Sequence, residues 1–273
     1  MTLQQAAEQL GVHYMTAYRY VKLGLLYAEK QRGSWMITAE DLAAFRGAGG
    51  AAGSDDRVTG TFEDALVAGD EAMAWRIVEA ELANAESPVD VHLEHLSPAL
   101  VSIGQRWASG DLSIASEHRA SAVANRIIAR LGARLSMPGR RRGTVIVGAA
   151  PGDVHSIPSA MFADLLRSFG VQAIDLGGSP DINSFLEAIV RHPHGVVAIS
   201  ATGPGHEDAV ISTITALRAV TPDLPVGVGG GAITSSAHAN ALGADLWHHD
   251  PRSAARLIAD AAAARTSEIQ TTG

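Results

Sequence analysis

The 273-residue chain contains no cysteine, which excludes disulfide bonds, thiolate metal sites and a cysteine nucleophile. It also has no apolar run long enough to cross a bilayer and no secretory signal, so we expect a cytoplasmic protein without a membrane partner. Hydrophobic residues are abundant, at 47% of the sequence, and this content is typical of ordered globular domains. The length favours two or three such domains over one.

Positive charge is scarce, and the formal net charge of −8 argues by itself against a nucleic-acid partner. The charge is unevenly distributed, however. Residues 1–46 hold five basic and four acidic groups, whereas the remainder of the chain carries a net charge of −9. This asymmetry indicates that the amino-terminal segment is a separate functional unit.

The segment from residue 2 to residue 46 has the pattern of two short helices separated by Gly11, two short strands around Arg32-Gly33, and a third helix. Two short helices joined by a tight glycine turn are typical of a helix-turn-helix, and the strands would form a wing. Side chains on the second helix and at the wing tip can donate hydrogen bonds to base edges and phosphates. The predicted DNA-binding residues are Tyr14, Thr16, Arg19, Lys22 and Arg32.

This segment resembles the amino-terminal domains of MerR-type and excisionase-type DNA binders. The landmarks that carry the resemblance are Ala6-Ala7, Leu10-Gly11-Val12, Tyr18-Arg19 and Gly24-Leu25-Leu26. The resemblance implies a winged helix-turn-helix that binds double-stranded operator DNA; the alternative is a small helical module for protein interaction. Because one unit of this size binds DNA weakly, we expect a homo-oligomer.

Two further domains are predicted beyond a Gly/Ala/Ser/Asp-rich linker at residues 47–60. Residues 61–136 show four amphipathic helical patterns, which predict a four-helix bundle. A second linker covers residues 137–143. Between residues 144 and 265, five short apolar stretches alternate with helical segments, which predicts a doubly wound, flavodoxin-like parallel sheet.

Ligands of such sheets bind beyond the carboxyl ends of the strands, at the switch in strand order. No G-x-G-x-x-G phosphate loop follows the first strand, and a lone His at a strand end is more often a helix cap or a satisfied polar group. Three strand ends together nevertheless predict a narrow, hydroxyl-lined slot that suits a flat metal macrocycle with a long tail. The residues concerned are Asp153 and His155 after the first strand, Ser200 and Thr202 after the third, and Gly229, Gly230 and Gly231 after the fourth.

The same residues resemble the D-x-H-x-x-G, S-x-T and G-G signature of the cobalamin-binding domains of methionine synthase, the mutases and related sensors. The resemblance implies that His155 is the lower axial ligand of cobalt and that Asp153 hydrogen-bonds its other ring nitrogen. It also implies that Ser200 and Thr202 line the slot for the dimethylbenzimidazole tail. One departure is Pro158 in place of the family's glycine, at a helix start where proline is tolerated.

In the helical segment, Trp107, Glu117 and His118 match the W-x9-E-H motif of the MerR-type cobalamin photoreceptor repressors, the CarH and LitR type. The order of domains is also similar. The resemblance implies adenosylcobalamin as chromophore, with these three side chains lining the pocket of its upper ligand. The alternative interpretation is that Trp107 is a bundle-core aromatic and that Glu117 and His118 belong to a solvated helix face.

The resemblance further implies a non-enzymatic repressor whose dark state is an oligomer, a tetramer in the family, that light dissociates from DNA. Some family members carry a second cobalt-binding histidine where this chain has Ala108. That departure keeps open a sensor of cobalamin abundance or redox state. A third reading is a corrinoid methyl carrier with a DNA-binding-like head.

Four other histidines give weaker signals. His92 and His95 lie at positions i and i+3 of one helix and could bind a metal, but with no third ligand in view we expect packing or surface roles. His248 and His249 close the fifth predicted strand, where we expect a structural role.

Overall fold

A computed structural model describes residues 1–10, 17–18, 21, 26–31, 34–47, 61–84, 86–135, 139 and 141–272. The chain divides into two compact units, Met1–Thr59 and Gly60–Gly273, and each is considered by itself. Within the described ranges, no helix combines the length and apolarity that crossing a membrane requires. Several sequence predictions lie outside them, namely Tyr14, Thr16, Arg19, Lys22, Arg32, nearly all of the linker at 47–60 and part of the one at 137–143.

The first unit is built on a small apolar core. Its described elements are α1 (Leu3–Leu10), β1 (Glu29–Gln31), β2 (Ser34–Met36) and α2 (Ala39–Gly47). The two strands pair antiparallel, with Lys30 opposite Trp35, where the sequence predicts the wing. Trp35 packs against this core, and the buried residues are Leu3, Ala6, Ala7, Ala17, Val21, Leu26, Ile37 and Leu42.

The second unit begins with the four predicted helical segments. They are α3 (Phe62–Ala68), α4 (Glu71–Ala83), a composite third helix, and α7 (Ile114–Leu135). The composite helix consists of α5 (Pro88–Asp90), a π-helical segment π1 (Val91–Leu96) and α6 (Ser97–Ala108). Apolar residues every three or four positions make α7 the centre of this bundle, and its buried residues are Ala120, Val123, Ala124, Ile127, Ile128, Leu131 and Leu135.

A parallel sheet with helices between its strands follows. Its elements are β3 (Thr144–Ala149), α8 (Ile157–Ser168), β4 (Gln172–Asp175), α9 (Ile182–Arg191), β5 (Val196–Ser200), α10 (Glu207–Val220), β6 (Val226–Gly229), α11 (Ser236–Ala241) and α12 (Pro251–Thr272). The strand order is β4-β3-β5-β6, and all three pairings are parallel. The chain therefore moves from β3 to both sides of the sheet, which places the switch in strand order between β3 and β5.

The fifth predicted strand is reduced to a single parallel bridge between Gly227 and Leu246. The backbone still pairs there, because the Asp245 and Leu246 amides donate to the Val226 carbonyl and the Val228 amide donates to the Leu246 carbonyl. The Asp245 carboxylate accepts a further hydrogen bond of 2.8 Å from the Val226 amide. The chain then turns, because Asp250 caps the next helix through the Ser253 amide. The prediction of a five-stranded sheet is therefore wrong in the extent of its last strand.

The bundle and the sheet are joined by a buried polar contact. His92 of π1 is fully buried, and its Nε2 lies 3.1 Å from Oδ2 of Asp164 on α8. The other carboxylate oxygen of Asp164 accepts a 2.7 Å hydrogen bond from Arg167. Gly132 of α7 makes room for this carboxylate, since a Cβ there would lie 2.8 Å from both of its oxygens. His92 thus has the packing role expected of it.

Replacing Asp164 by alanine should lower the free energy of unfolding of this unit by about 3–5 kcal/mol, because His92 and Arg167 would lose a buried partner. Urea unfolding followed by circular dichroism measures the change. Asp260→Ala is the matched control, since it removes a carboxylate from an exposed ion pair with Arg142, and such pairs contribute at most about 1 kcal/mol. Equal losses in the two variants would contradict a special role for the buried contact.

Candidate functional site

The predicted site residues after β3, β5 and β6 lie side by side at the carboxyl edge of the sheet. The register pairs Ala149 of β3 with Ser200 of β5, and Ser200 in turn with Gly229 of β6. The Ala150 amide donates a 2.8 Å hydrogen bond to the Ser200 carbonyl, and the Ala201 amide donates one of 2.8 Å to the Gly229 carbonyl. The ladder therefore continues one residue into each loop and fixes the three loops relative to one another.

The carboxylate of Asp153 contacts residues of two loops at this edge. It is 1% exposed, and Oδ1 lies 2.6 Å from Nδ1 of His155 and accepts a 3.1 Å hydrogen bond from the His155 amide. Its other oxygen accepts a 2.7 Å hydrogen bond from the Thr202 amide. One carboxylate therefore binds the loop after β3 to the loop after β5, across the switch point.

These contacts fix the protonation pattern of His155. Burial raises the pKa of Asp153, but the hydrogen bonds from the Thr202 amide and from His155 outweigh it and hold that pKa below its ordinary value. An ionised carboxylate only accepts hydrogen bonds, so Nδ1 of His155 carries the proton. In the neutral ring, Nε2 then has a free lone pair, and the side chain is 60% exposed. This is the arrangement of a histidine prepared to bind a metal.

The strand ends beside this pair carry the residues predicted to line a slot. Oγ1 of Thr202 is buried and has no hydrogen-bond partner among the described residues, although buried hydroxyls usually have one. A Cβ at Gly229 would meet no atom within 4 Å, so the backbone there borders open space. At Gly230, φ is +96° and a Cβ would lie 2.3 Å from the Ala201 carbonyl oxygen. The glycines therefore bring the backbone close to Ala201 and leave room at Gly229.

Two residues that the sequence analysis missed support the His155 loop from its other side. The Ser179 amide donates a 2.7 Å hydrogen bond to the Asp153 carbonyl, and Oγ of Ser179 accepts one of 3.1 Å from the Gly152 amide. A Cβ at Gly178 would lie 2.5 Å from the Val154 carbonyl oxygen. The sequence feature that could have pointed to them is Gly177-Gly178-Ser179, shortly after β4.

Pro158 is accommodated as predicted, because it falls in the first turn of α8, where its missing N–H has no helical partner to lose. The helix itself begins two residues after His155.

The bundle presents the residues of the W-x9-E-H motif at the end of α6 and the start of α7. Trp107 is 48% exposed, so it is not the core aromatic of the alternative interpretation. Glu117 accepts hydrogen bonds from Ser121, at 2.7 Å, and from Nδ1 of His118, at 2.6 Å. His118 is 71% exposed in its side chain and Glu117 is 27% exposed. The motif thus combines an uncovered indole with an oriented histidine.

The structure also places the histidines that gave weaker signals in the sequence. His248 and His249 stack on each other at 4.6 Å between ring centroids, and the Asp250 amide donates to Nδ1 of His248, in keeping with the structural role predicted for this pair. The expectation that no third ligand lies near His95 is wrong. A carboxylate oxygen of Glu81 and one of Glu86 both lie within 4.8 Å of a ring nitrogen of His95.

Comparisons with known proteins give matches to three parts of the chain. A model of the helix-turn-helix domain matches residues 1–48, and two models, each described as a B12 binding domain, match residues 60–131 and 143–256. Among solved structures, the monomethylamine corrinoid protein of Methanosarcina barkeri superposes with a TM-score of 0.65 at 18% identity, covering 76% of this chain and 99% of that one. This likeness shows a shared fold.

Two kinds of curated relative are found. Trimethylamine corrinoid protein 1 of Methanosarcina acetivorans is 25% identical over 71% of this chain and 92% of its own length. The HTH-type transcriptional repressor CarH of Myxococcus xanthus is 31% identical over 57% of this chain and 52% of its own length. The matches support a cobalamin-binding protein with a helix-turn-helix domain, which suggests a transcriptional regulator.

The residues at the sheet edge fit a corrinoid on structural grounds. Nε2 of His155 offers one nitrogen ligand to a metal, and Asp153 fixes the ring that carries it. The buried hydroxyl of Thr202 has no hydrogen-bond partner among the described residues, and a Cβ at Gly229 would meet no atom within 4 Å. Both residues belong to the predicted slot.

Gly230→Ala should destabilise the protein by at least about 1–3 kcal/mol, because alanine at positive φ is strained and the Cβ would overlap the Ala201 carbonyl. Gly229→Ala is the matched control: its Cβ enters open space, so stability should change by no more than about 0.5 kcal/mol. Urea unfolding of both variants tests the geometry. A larger loss for Gly229→Ala would contradict it.

Proposed function

We propose that this protein is a cytoplasmic, light-responsive transcriptional repressor that uses adenosylcobalamin as its chromophore. The observation that carries the proposal is the Asp153-held imidazole of His155 at the switch point of the sheet, in a chain that also has a helix-turn-helix domain. A cofactor site and a DNA-binding domain in one chain are the two parts of a ligand-controlled regulator.

The lower side of the cofactor would be held at the sheet edge. His155 would bind cobalt through Nε2 and Asp153 would fix its tautomer, while Ser200, Thr202 and residues 229–231 would border the tail. Bound adenosylcobalamin supplies a cobalt–carbon bond that light cleaves. The protein's own part is to hold the corrinoid in one orientation and to respond when its upper ligand is lost.

The upper side is assigned to the bundle. The half-exposed indole of Trp107 offers a flat apolar surface to a bulky upper ligand such as an adenosyl group. Val101 of α6 and Ile114 of α7 are also exposed, at 56% and 58%. Glu117 and His118 add polar groups near this surface. Adenosyl rather than methyl is therefore the upper ligand that we favour.

In the dark the protein would be an oligomer, a tetramer in our proposal, whose several helix-turn-helix domains bind one operator at once. Multivalent binding supplies affinity that a single small domain lacks. Loss of the adenosyl group would dissociate the oligomer and release the DNA. We propose no enzymatic turnover.

A second candidate is a corrinoid methyl carrier. It is favoured by the similarity to trimethylamine corrinoid protein 1, which extends over 92% of that protein. It predicts a preference for methylcobalamin and methyl exchange with a partner enzyme.

A third candidate is a sensor of cobalamin or of its redox state. It is kept open because Ala108 stands where some photoreceptors carry a second cobalt-binding histidine, and it differs from the first proposal only in being insensitive to light.

The first experiment loads the full chain with adenosylcobalamin and compares its assembly in darkness and after green light by size-exclusion chromatography with absorbance detection. We expect a dark oligomer that dissociates as the cofactor spectrum changes, together with loss of DNA binding, because the assembly supplies the affinity. The control is the same protein loaded with methylcobalamin.

Three outcomes separate the candidates. Light-induced dissociation supports the photoreceptor. A spectral change with unchanged assembly and DNA affinity contradicts it and favours the sensor. Tighter binding of methylcobalamin, with methyl transfer to an added methyltransferase, favours the carrier.

His155→Ala should weaken cobalamin binding by more than about 100-fold, because it removes the ligand atom itself, and Asp153→Asn by about 10–100-fold, because it removes only the group that orients it. Titration followed by absorbance measures both. His194→Ala is the matched control, since this exposed histidine precedes β5 at the opposite edge of the sheet. Full cofactor retention by His155→Ala would refute the assignment of the axial ligand.

A further inference from the structure

A second cluster of potential metal ligands lies in the bundle, away from the sheet edge. Glu81 is in the last turn of α4, Glu86 lies in the connection that follows, and His95 is in π1. One ligand atom from each residue lies within 4.8 Å of the other two. The closest pair is Nε2 of His95 and Oε2 of Glu86, at 2.8 Å.

The cluster is built into the fold rather than spread over its surface. Glu81 is 7% exposed, and the side chains of His95 and Glu86 are 17% and 25% exposed. The Glu86 amide donates a 3.2 Å hydrogen bond to the Glu81 carbonyl, which fixes the two residues to each other. The next residue, Ser87, forms a capping box with Asp90, so the connection enters π1 in one conformation.

The residue types of the cluster suit a cation. Two carboxylates and an imidazole offer oxygen and nitrogen ligands to one ion, and the neutral imidazole is the form that binds metals.

We propose that Glu81, Glu86 and His95 form a binding site for a divalent transition metal of the zinc class. Mixed carboxylate and imidazole ligands are typical of zinc, whereas calcium and magnesium prefer oxygen alone. Zinc binds these ligands at roughly 2.0–2.2 Å, so tetrahedral ligands stand about 3.4 Å apart. The 2.8 Å pair would need to open by about 0.6 Å, and a pair at the 4.8 Å limit would need to close by about 1.4 Å. Three protein ligands leave one position for water.

A metal here would connect α4 to π1. The same π1 segment carries His92, which contacts Asp164 of α8. The site would therefore hold in register the segment through which the bundle meets the sheet domain. This inference does not depend on the cofactor proposed above, since none of its three residues belongs to the sheet edge.

The test uses the full chain without cobalamin, stripped with a chelator and then titrated with zinc alone. Native mass spectrometry counts zinc ions per chain, and thermal unfolding measures their effect. We expect Glu86→Gln and His95→Gln each to bind one zinc fewer than the wild type. At about 100-fold excess over the dissociation constant, zinc should raise the wild-type Tm by about 5 °C or more, and should do so much less in the two variants.

Glu79→Gln is the matched control, because it removes an exposed carboxylate from the same helix; it should keep the wild-type zinc count and Tm shift. Circular dichroism without zinc checks that the variants are folded. Equal zinc counts and Tm shifts in the wild type, Glu86→Gln and His95→Gln would overturn the proposal. Preferential binding of magnesium or calcium would overturn the assignment to the zinc class.

Discussion

The carboxyl edge of the sheet depends on one buried carboxylate, that of Asp153. Burying it alone would be costly, and the His155 imidazole and the Thr202 amide remove that cost by donating to its two oxygens. The same bonds cross the switch between β3 and β5. The same hydrogen bond therefore compensates the buried charge of Asp153 and orients the His155 ring.

The constraint extends from the edge of the sheet into the bundle. The helix α8 begins two residues after His155 and carries Asp164, which contacts the buried His92 of π1. The helix α8 therefore lies between the His155 loop and the contact of Asp164 with His92. The segment π1 leads directly into α6, which carries Trp107.

Local signals predicted most of this fold, because apolar periodicity defines the helices and strands and the loops after β3, β5 and β6 contain the site residues in order. Contacts set by packing were missed. The fifth strand is reduced to one bridge, beside which the Asp245 carboxylate accepts a hydrogen bond from the Val226 amide. Gly178 lies close to the Val154 carbonyl, but its Gly-Gly-Ser segment belongs to none of the motifs used in the sequence analysis. Glu81 and Glu86 reach His95 only because the chain reverses between α4 and π1, and a 3.6-residue pattern does not reveal a π-helical turn.

The four tryptophans differ in how far the surrounding structure covers them. Three of the four tryptophans, Trp35, Trp75 and Trp247, pack against apolar cores, and the guanidinium of Arg130 lies over the ring of Trp75. Trp107 is the exception, because it is 48% exposed. Its indole leaves an apolar surface in contact with solvent. A ligand that covers it would stabilise one arrangement of the bundle, and its loss would return that surface to solvent, which is the energetic difference that a two-state regulator requires.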